Sequence, residues 1–162
     1  MSVHVEIQSA CSEPVPEEDD LRRWICAALA ERTPGDNAEI CVRLVGEAEM
    51  TTLNRDYRGK SGPTNVLSFP ADLPPELALP LLGDIVICAP IVAHEAAEQG
   101  KPLAAHWAHM VVHGCLHLLG LDHIEEADAI TMETLETTIL AQLGFPCPYP
   151  DHANAHEEQL TP

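Results

Sequence analysis

Basic residues are scarce in this sequence. Its 162 residues include 8 lysines and arginines against 26 aspartates and glutamates, and the formal net charge is −18. Because nucleic-acid affinity depends on Lys and Arg neutralising phosphates, this balance argues against nucleic-acid binding by the surface as a whole. The bases are nevertheless concentrated in one place, since Arg55, Arg58 and Lys60 lie within six residues that hold a single acid. We call residues 55–60 the basic segment.

Long apolar runs and paired cysteines are missing as well. No uninterrupted apolar run approaches the ~18–20 residues of a membrane span, so we expect no membrane association. None of the six cysteines forms a Cys-x-x-Cys pair, which excludes zinc-ribbon and thioredoxin-like motifs. We expect free thiols, with Cys26, Cys41 and Cys88 buried in apolar segments. Residues 1–8 lack the basic and apolar regions of a signal peptide, which predicts a cytoplasmic protein.

The remaining composition is that of an ordinary globular protein, with 46% hydrophobic and 21% charged residues. A chain of this length is typical of one domain. We therefore expect a single domain over residues 1–146. Residues 147–162 begin with alternating prolines and continue with acids, which predicts an acidic, flexible C-terminal tail with little to bury.

Hydrophobic periodicity predicts alternating strands and helices. Apolar residues with a period of two indicate half-buried strands, and apolar residues at i, i+3, i+4 and i+7 indicate amphipathic helices. The strands are expected over residues 3–7, 40–44, 66–69 and 82–88, and the helices over residues 21–29, 50–57, 90–99, 102–119 and 125–143. This pattern predicts an α/β (α+β) domain with a mixed sheet of about four strands packed with helices.

Three histidines with regular spacing carry the most specific chemistry. His113 and His117 are one helical turn apart, offset by about 40° around the axis, so both imidazoles can reach one metal ion. Gly120 can take the left-handed conformation that ends a helix, and His123 then returns a third imidazole. Three nitrogen ligands leave zinc one open position, which is typical of catalytic sites. Imidazole also suits copper, iron and nickel, and the alternative is a set of ordinary helix-surface histidines.

The same spacing occurs in the metzincin protease signature H-E-x-x-H-x-x-G-x-x-H, with one departure. The glutamate that serves as the protease's general base is replaced here by Gly114. A conventional zinc protease is therefore disfavoured. His106 and His109, on the same predicted helix, either orient the ligands or pack near the core. Asp122 either accepts a hydrogen bond from a ligand histidine or stabilises the turn.

Three segments together resemble the bacterial YbeY family. They are NRDYRGKSGPTNVLSFP at residues 54–70, LGDI at residues 82–85 and HGCLHLLGLDH at residues 113–123. The resemblance runs through about residues 3–145, and the two longer motifs are highly specific. It implies a zincin-like fold and single-strand-specific endoribonuclease activity. It further implies roles in ribosomal RNA maturation, notably at the 3′ end of the small-subunit RNA, and in ribosome quality control.

The resemblance also implies functional residues and partners. One zinc ion would be held by His113, His117 and His123, and the functionally important arginine would be Arg58. The partners would be single-stranded rRNA, the small ribosomal subunit and its proteins, or the assembly GTPase Era. Ser61 departs from the acid expected after Gly-Lys, which slightly alters the charge of this loop.

The residues themselves give Arg58 a chemical reason to matter, because a guanidinium binds a phosphate bidentately. The alternative is an arginine paired with a nearby carboxylate. We expect metal-dependent cleavage of RNA, with Arg58 stabilising charge on the phosphate. Two alternatives stay open, a zincin-like metallopeptidase that uses an acid from elsewhere and a non-catalytic ribosome-assembly factor with a structural metal. Few aromatic residues, two each of Trp, Tyr and Phe, are available for base stacking.

Overall fold

A computed structural model describes residues 2–30, 37–71, 81–120 and 126–148. Four strands and five helices follow one another in the predicted order. They are β1 (Ser2–Ala10), α1 (Glu18–Leu29), β2 (Asn37–Val45), α2 (Glu47–Arg58), β3 (Val66–Pro70), β4 (Leu81–Cys88), α3 (Ala89–Gln99), α4 (Leu103–Leu118) and α5 (Glu126–Gln142). Every strand and helix expected from the sequence is confirmed.

The strands form one mixed sheet in the order β1-β2-β4-β3. The pairs β1–β2 and β2–β4 are parallel, and β3 runs antiparallel to β4 at the edge of the sheet. The predicted mixed sheet of about four strands is thus confirmed. Parallel strands need crossover connections, and the helices that follow β1 and β2 provide them.

The two faces of the sheet are covered by different helices. Successive strand residues point to opposite faces, and in β4 Ile85 and Ile87 pack with α4 in the larger core, whereas Val86 and Cys88 pack with Met50 of α2. The helices α1 and α5 join α4 on the first face. Helices α2 and α4 therefore lie on opposite sides of the sheet, and this separation decides where the basic segment lies relative to the histidines.

Helix α4 is the central helix of the domain and is buried on almost every side. Its hydrophobic residues pack against the sheet, against α1 and against α5; the buried ones are Trp107, Ala108, Met110, Val111, Val112, Cys115, Leu116 and Leu118. Burying each large apolar side chain contributes roughly 1.5–3 kcal/mol. The histidines of this helix are therefore carried on a rigid element.

The burial of three cysteines and the contacts near the C-terminus bear on two expectations. Cys88 is buried, Cys41 is half-buried and Cys26 is exposed, so the expected burial of Cys26 is wrong; it lies on the solvent side of α1. Near the C-terminus, Pro148 is buried and its carbonyl accepts a hydrogen bond from Lys101 Nζ at 2.8 Å. The expected boundary at residue 146 stays a prediction, since residues 149–162 lie outside the described part of the chain. None of the described helices is long and apolar enough to cross a membrane.

Candidate metal centre

Two predicted ligands, one helical turn apart, meet on one side of α4. The Nε2 atoms of His113 and His117 lie 3.1 Å apart, and the ring centroids are separated by 4.6 Å. In a tetrahedral site with metal–nitrogen bonds of about 2.0–2.1 Å, two ligand nitrogens lie about 3.3–3.4 Å from each other. The observed pair is close to that separation, so the two imidazoles fit a shared metal ion. His123 and Asp122 fall outside the described residues, but Gly120 has a φ of 96°, in the left-handed region expected for the reversal.

A carboxylate from α5 holds the first of these histidines. Glu136 Oε2 lies 2.6 Å from His113 Nδ1, and its other oxygen, Oε1, lies 3.2 Å from His109 Nε2. Glu136 is completely buried, and the side chain of His113 is 20% exposed. One buried carboxylate thus anchors two histidines of α4 to α5, and the other ring nitrogen of His113, Nε2, is turned toward His117.

The charge state of Glu136 fixes the roles of these atoms. Burial alone raises the pKa of the Glu136 carboxyl, but hydrogen bonds and the nearby charges of His109 and His113 outweigh burial and lower the pKa to about 2. The carboxylate is therefore ionised at neutral pH and can only accept hydrogen bonds. His113 Nδ1 must then carry the proton, which leaves a lone pair on Nε2 for a metal ion.

A second combination of ligands is also possible on distance alone. His109, His113 and Glu136 each place one ligand atom within 4.8 Å of the others, so this group is able to hold a metal ion. Both oxygens of Glu136, however, accept hydrogen bonds from the two histidines. That geometry is the one in which an outer carboxylate orients a ligand. His113 belongs to both combinations.

The polar chain continues away from the metal centre along α4. His106 Nε2 lies 2.9 Å from Glu95 Oε1 of α3, and the amide of Asn65 donates to the same carboxylate at 3.2 Å. Burial lowers the pKa of His106, and Glu95 partly opposes this effect. His106 is therefore a packed, hydrogen-bonded side chain, whereas His109 reaches His113 through Glu136. His106 thus fits the interpretation of a histidine packed near the core, and His109 fits the interpretation of a histidine that orients a ligand.

Gly114 lies on the side of α4 that packs against the sheet and has no room for a side chain. A Cβ atom there would lie 2.9 Å from Ile85 Cγ2, 3.1 Å from Ile85 Cδ1 and 3.3 Å from Ser68 Oγ. The Ser68 hydroxyl in turn donates to the Gly114 carbonyl at 3.1 Å. The close approach of α4 to the sheet thus requires glycine, and a general-base glutamate at this position would have no space.

The basic segment lies at the end of α2, on the other face of the sheet. Arg58 is the last residue of α2 and is exposed. Within the described residues its guanidinium forms no ion pair and no hydrogen bond, whereas Arg55 pairs with Asp56 at 3.2 Å. The alternative in which Arg58 pairs with a nearby carboxylate is therefore not observed among the described residues. The structure brings His113 and His117 together, but Arg58 lies across edge strand β3 from them.

Glu136 is the functional residue that sequence reasoning missed. Its signal was present, because Glu136 lies between Met132 and Leu140 at i, i+4 and i+8, and both of these neighbours are buried. An acid in the buried stripe of a helix needs a partner. The apolar pattern of this helix was a less reliable guide to burial. Ile130, which was expected on its apolar face, is 54% exposed.

Comparisons with known proteins agree on one family. The sequence profile described as Endoribonuclease YbeY matches residues 6–144. The chain is 56% identical over 147 residues to Endoribonuclease YbeY of Cellvibrio japonicus, covering 91% of this chain and 82% of the relative. It is 57% identical over 148 residues to Endoribonuclease YbeY of Stutzerimonas stutzeri, covering 91% of each chain.

A solved structure supports the fold. The solution structure of TM1509 from Thermotoga maritima superimposes with a TM-score of 0.60 at 27% sequence identity, covering 84% of this chain and 86% of that chain. The mixed α/β architecture predicted from the sequence is therefore shared with an experimentally determined structure.

Proposed function

Since the chain belongs to the endoribonuclease YbeY family, we propose that it hydrolyses phosphodiester bonds of single-stranded ribosomal RNA with a metal ion bound by His113, His117 and His123. The observation that carries the proposal is the pair of Nε2 atoms at 3.1 Å, one of which is fixed by Glu136. The family assignment covers residues on both sides of this pair. It supports RNA as the substrate.

The residues of the site suit zinc. Three neutral imidazoles form a known catalytic zinc ligand set, although other divalent transition metals accept the same donors. A metal ion bound there would polarise a phosphoryl oxygen or lower the pKa of a water molecule. Glu136 accepts a hydrogen bond from His113 Nδ1 and so directs Nε2 toward the metal position. His109 shares the carboxylate and holds it in position.

Arg58 supplies the positive charge that the substrate needs. It is exposed and unpaired within the described residues, and it stands in a chain whose net charge is −18. We assign it to a phosphate of the bound RNA, to which its guanidinium donates charge-assisted hydrogen bonds. Because Arg58 and the histidines flank β3, the bound strand would pass around this edge of the sheet. A flexible single strand can follow such a path, whereas a stiff duplex cannot bend so sharply.

The peptidase alternative is not favoured. The family match names an endoribonuclease, and the place of the protease's glutamate is occupied by Gly114, packed against Ile85. The non-catalytic alternative is disfavoured by the same family match. The proposal further includes rRNA maturation at the 3′ end of the small-subunit RNA and ribosome quality control. It also includes contact with the small ribosomal subunit, its proteins or the assembly GTPase Era, and a cytoplasmic location.

Incubation of the purified, metal-analysed protein with small-subunit precursor rRNA tests this function. The RNA is offered free and within subunits, beside an unstructured peptide substrate. We expect metal-dependent RNA cleavage that is lost in His113→Ala and retained in His94→Ala, a variant of an exposed histidine paired with Glu98. Peptide turnover that His113→Ala abolishes, without RNA cleavage, would establish the peptidase instead.

A further inference from the structure

The most exposed large apolar side chain among the described residues lies inside the basic segment. Tyr57 is 67% exposed, compared with 54% for Ile130 and 44% for Leu103. It is also the only aromatic residue in that group. Exposed aromatic rings in a cationic setting are the elements that single-stranded nucleic acid recognises, because every base offers a π-face.

The ring of Tyr57 is held in place on one side only. It forms an edge-to-face contact with Phe69 of β3, with centroids 5.0 Å apart and planes inclined by 69°. Phe69 itself packs on the α2 face of the sheet. The ring is therefore supported by the edge strand, and its remaining surface faces solvent. Such support lowers the conformational entropy that is lost when a planar partner binds.

The charges around Tyr57 complement a polyanion. Arg58 and Lys60 are exposed and have no ionic partner within the described ranges. Gly59, with a φ of 66°, ends α2, and Asn54 Nδ2 donates to the Gly62 carbonyl at 2.9 Å, so the loop that carries Lys60 is tied to the helix. This small region is thus rigid, cationic and aromatic, in contrast to the acidic surface elsewhere.

A groove beside Tyr57 indicates where the bases and phosphates would lie. It has a volume of about 510 Å³ on the α2 face of the sheet, and its walls include Tyr57, Phe69 and Asp84. Arg43 in the groove is already paired with Glu49 and hydrogen-bonded to Gln8. Because the carboxylate of Asp84 in the groove repels phosphates, the phosphates would lie toward Arg58 and Lys60 and the bases toward Tyr57.

We propose that Tyr57 is a base-stacking residue of an RNA-binding subsite, in which an unpaired nucleobase stacks on its ring while Arg58 and Lys60 contact the adjacent phosphates. The subsite rests on the proposed function and specifies how an unpaired strand is selected. In a duplex the faces of the bases are covered by their neighbours, so a stacking residue of this kind accepts single strands.

Fluorescence of Tyr57→Trp tests the subsite directly. The two native tryptophans, Trp24 and Trp107, are 2% and 1% exposed, so the introduced indole would be the solvent-exposed one. The probe is a 2′-O-methyl oligouridine, and a denaturing gel run after each titration checks that it is intact. We expect saturable quenching of the emission of the introduced indole by the single strand and little quenching by the same strand in a duplex.

Binding of the labelled oligouridine by the variants separates stacking from simple apolar contact. Tyr57→Ala and Tyr57→Leu are expected to bind roughly tenfold more weakly, Tyr57→Phe like the wild type, and the control Leu103→Ala unchanged. Wild-type affinity in Tyr57→Leu would show that the ring is not needed for RNA and would favour a protein partner on this surface. RNA binding by Tyr57→Trp without quenching of the introduced indole would also overturn the proposal.

The failure of the subsite and the failure of the proposed function can be told apart. Binding is measured only with oligonucleotide that the gel shows to be intact, so it is independent of the metal-dependent step. Quenching in a protein that cleaves no RNA would support the subsite and overturn the proposed nuclease function. Normal cleavage and normal binding in Tyr57→Ala would support the nuclease function and overturn the subsite.

Discussion

Glu136 Oε2 lies 2.6 Å from His113 Nδ1, although the two residues are 23 positions apart in the sequence. This hydrogen bond determines which nitrogen of His113 is available for a metal ion. It also connects α5 to α4 through a completely buried carboxylate. The candidate metal centre is consequently built by two helices, of which only one carries the histidine motif.

One metal ion per chain is expected, and His117→Ala should lose it. His117 Nε2 is 3.1 Å from His113 Nε2, so its removal leaves too few donors for tight binding. Elemental analysis of the wild type, His117→Ala and the control His94→Ala checks this, and equal metal content in all three would contradict the site. Because ligand histidines must be neutral, protons compete with the metal, and metal content should fall as the pH is lowered.

Glu136→Gln should weaken metal binding without abolishing the fold. An amide oxygen still accepts one hydrogen bond, but the charge that favours the correct tautomer of His113 is lost, and loss of such an outer partner typically lowers metal affinity about 10- to 100-fold. Competition with a chromophoric chelator measures the affinity, and ¹⁵N NMR of the metal-free protein reports the tautomer. A lower melting temperature with unchanged metal affinity and tautomer would assign Glu136 a purely structural role.

Gly114→Ala should destabilise the protein by about 1–3 kcal/mol. The new Cβ would lie 2.9 Å from Ile85 Cγ2 in a fully buried part of the core, and over-packing of this kind has that cost. Urea unfolding provides the measurement. The double variant Gly114→Ala/Ile85→Val removes one of the clashing methyl groups and should recover part of the loss. If it recovers none, the strain arises elsewhere.

Arg58→Ala should reduce RNA cleavage about 10- to 100-fold, because a hydrogen bond from its guanidinium to a phosphate of the bound strand is worth about 1.5–3 kcal/mol. Arg58→Lys should recover only part of the rate, since lysine lacks the bidentate fork. The matched control is Arg55→Ala, whose guanidinium is paired with Asp56; it should mainly reduce the salt dependence of binding.

Metal content and stability of Arg58→Ala should stay near the wild-type values. Arg58 is exposed at the C-terminal end of α2, where its favourable interaction with the helix dipole is worth at most about 1 kcal/mol. Loss of metal or unfolding would show that the residue is structural. Normal cleavage would instead mean that the phosphate is held by another surface or by a partner.

Removal of residues 149–162 should shift the melting temperature by no more than a few degrees, because this segment has little apolar surface to bury. Removal of residues 147–162 should lower it slightly further, by about 2–4 °C per kcal/mol lost. The longer truncation removes the buried Pro148 and the hydrogen bond from Lys101. Differential scanning calorimetry of both truncated proteins measures the melting temperatures. A large drop on removal of residues 149–162 alone would show that the tail docks on the core.

The sequence alone determined the local structure and half of the metal centre. Periodicity located the strands and helices, because the apolar face of each element is set by geometry that repeats every two or 3.6 residues. The same helical geometry placed His113 and His117 on one side of α4. Gly120 adopts the left-handed conformation that was expected of it, since only glycine takes that conformation without a steric cost.

Tertiary structure alone decided the surroundings of that centre. Glu136 reaches His113 only because α5 packs on α4, Gly114 is required only because α4 lies against Ile85, and Arg58 is separated from the histidines by β3. These relationships join residues that are distant in sequence, so no periodicity records them. They depend on which faces of the elements pack together, and that is determined by the burial of the whole core rather than by any single segment.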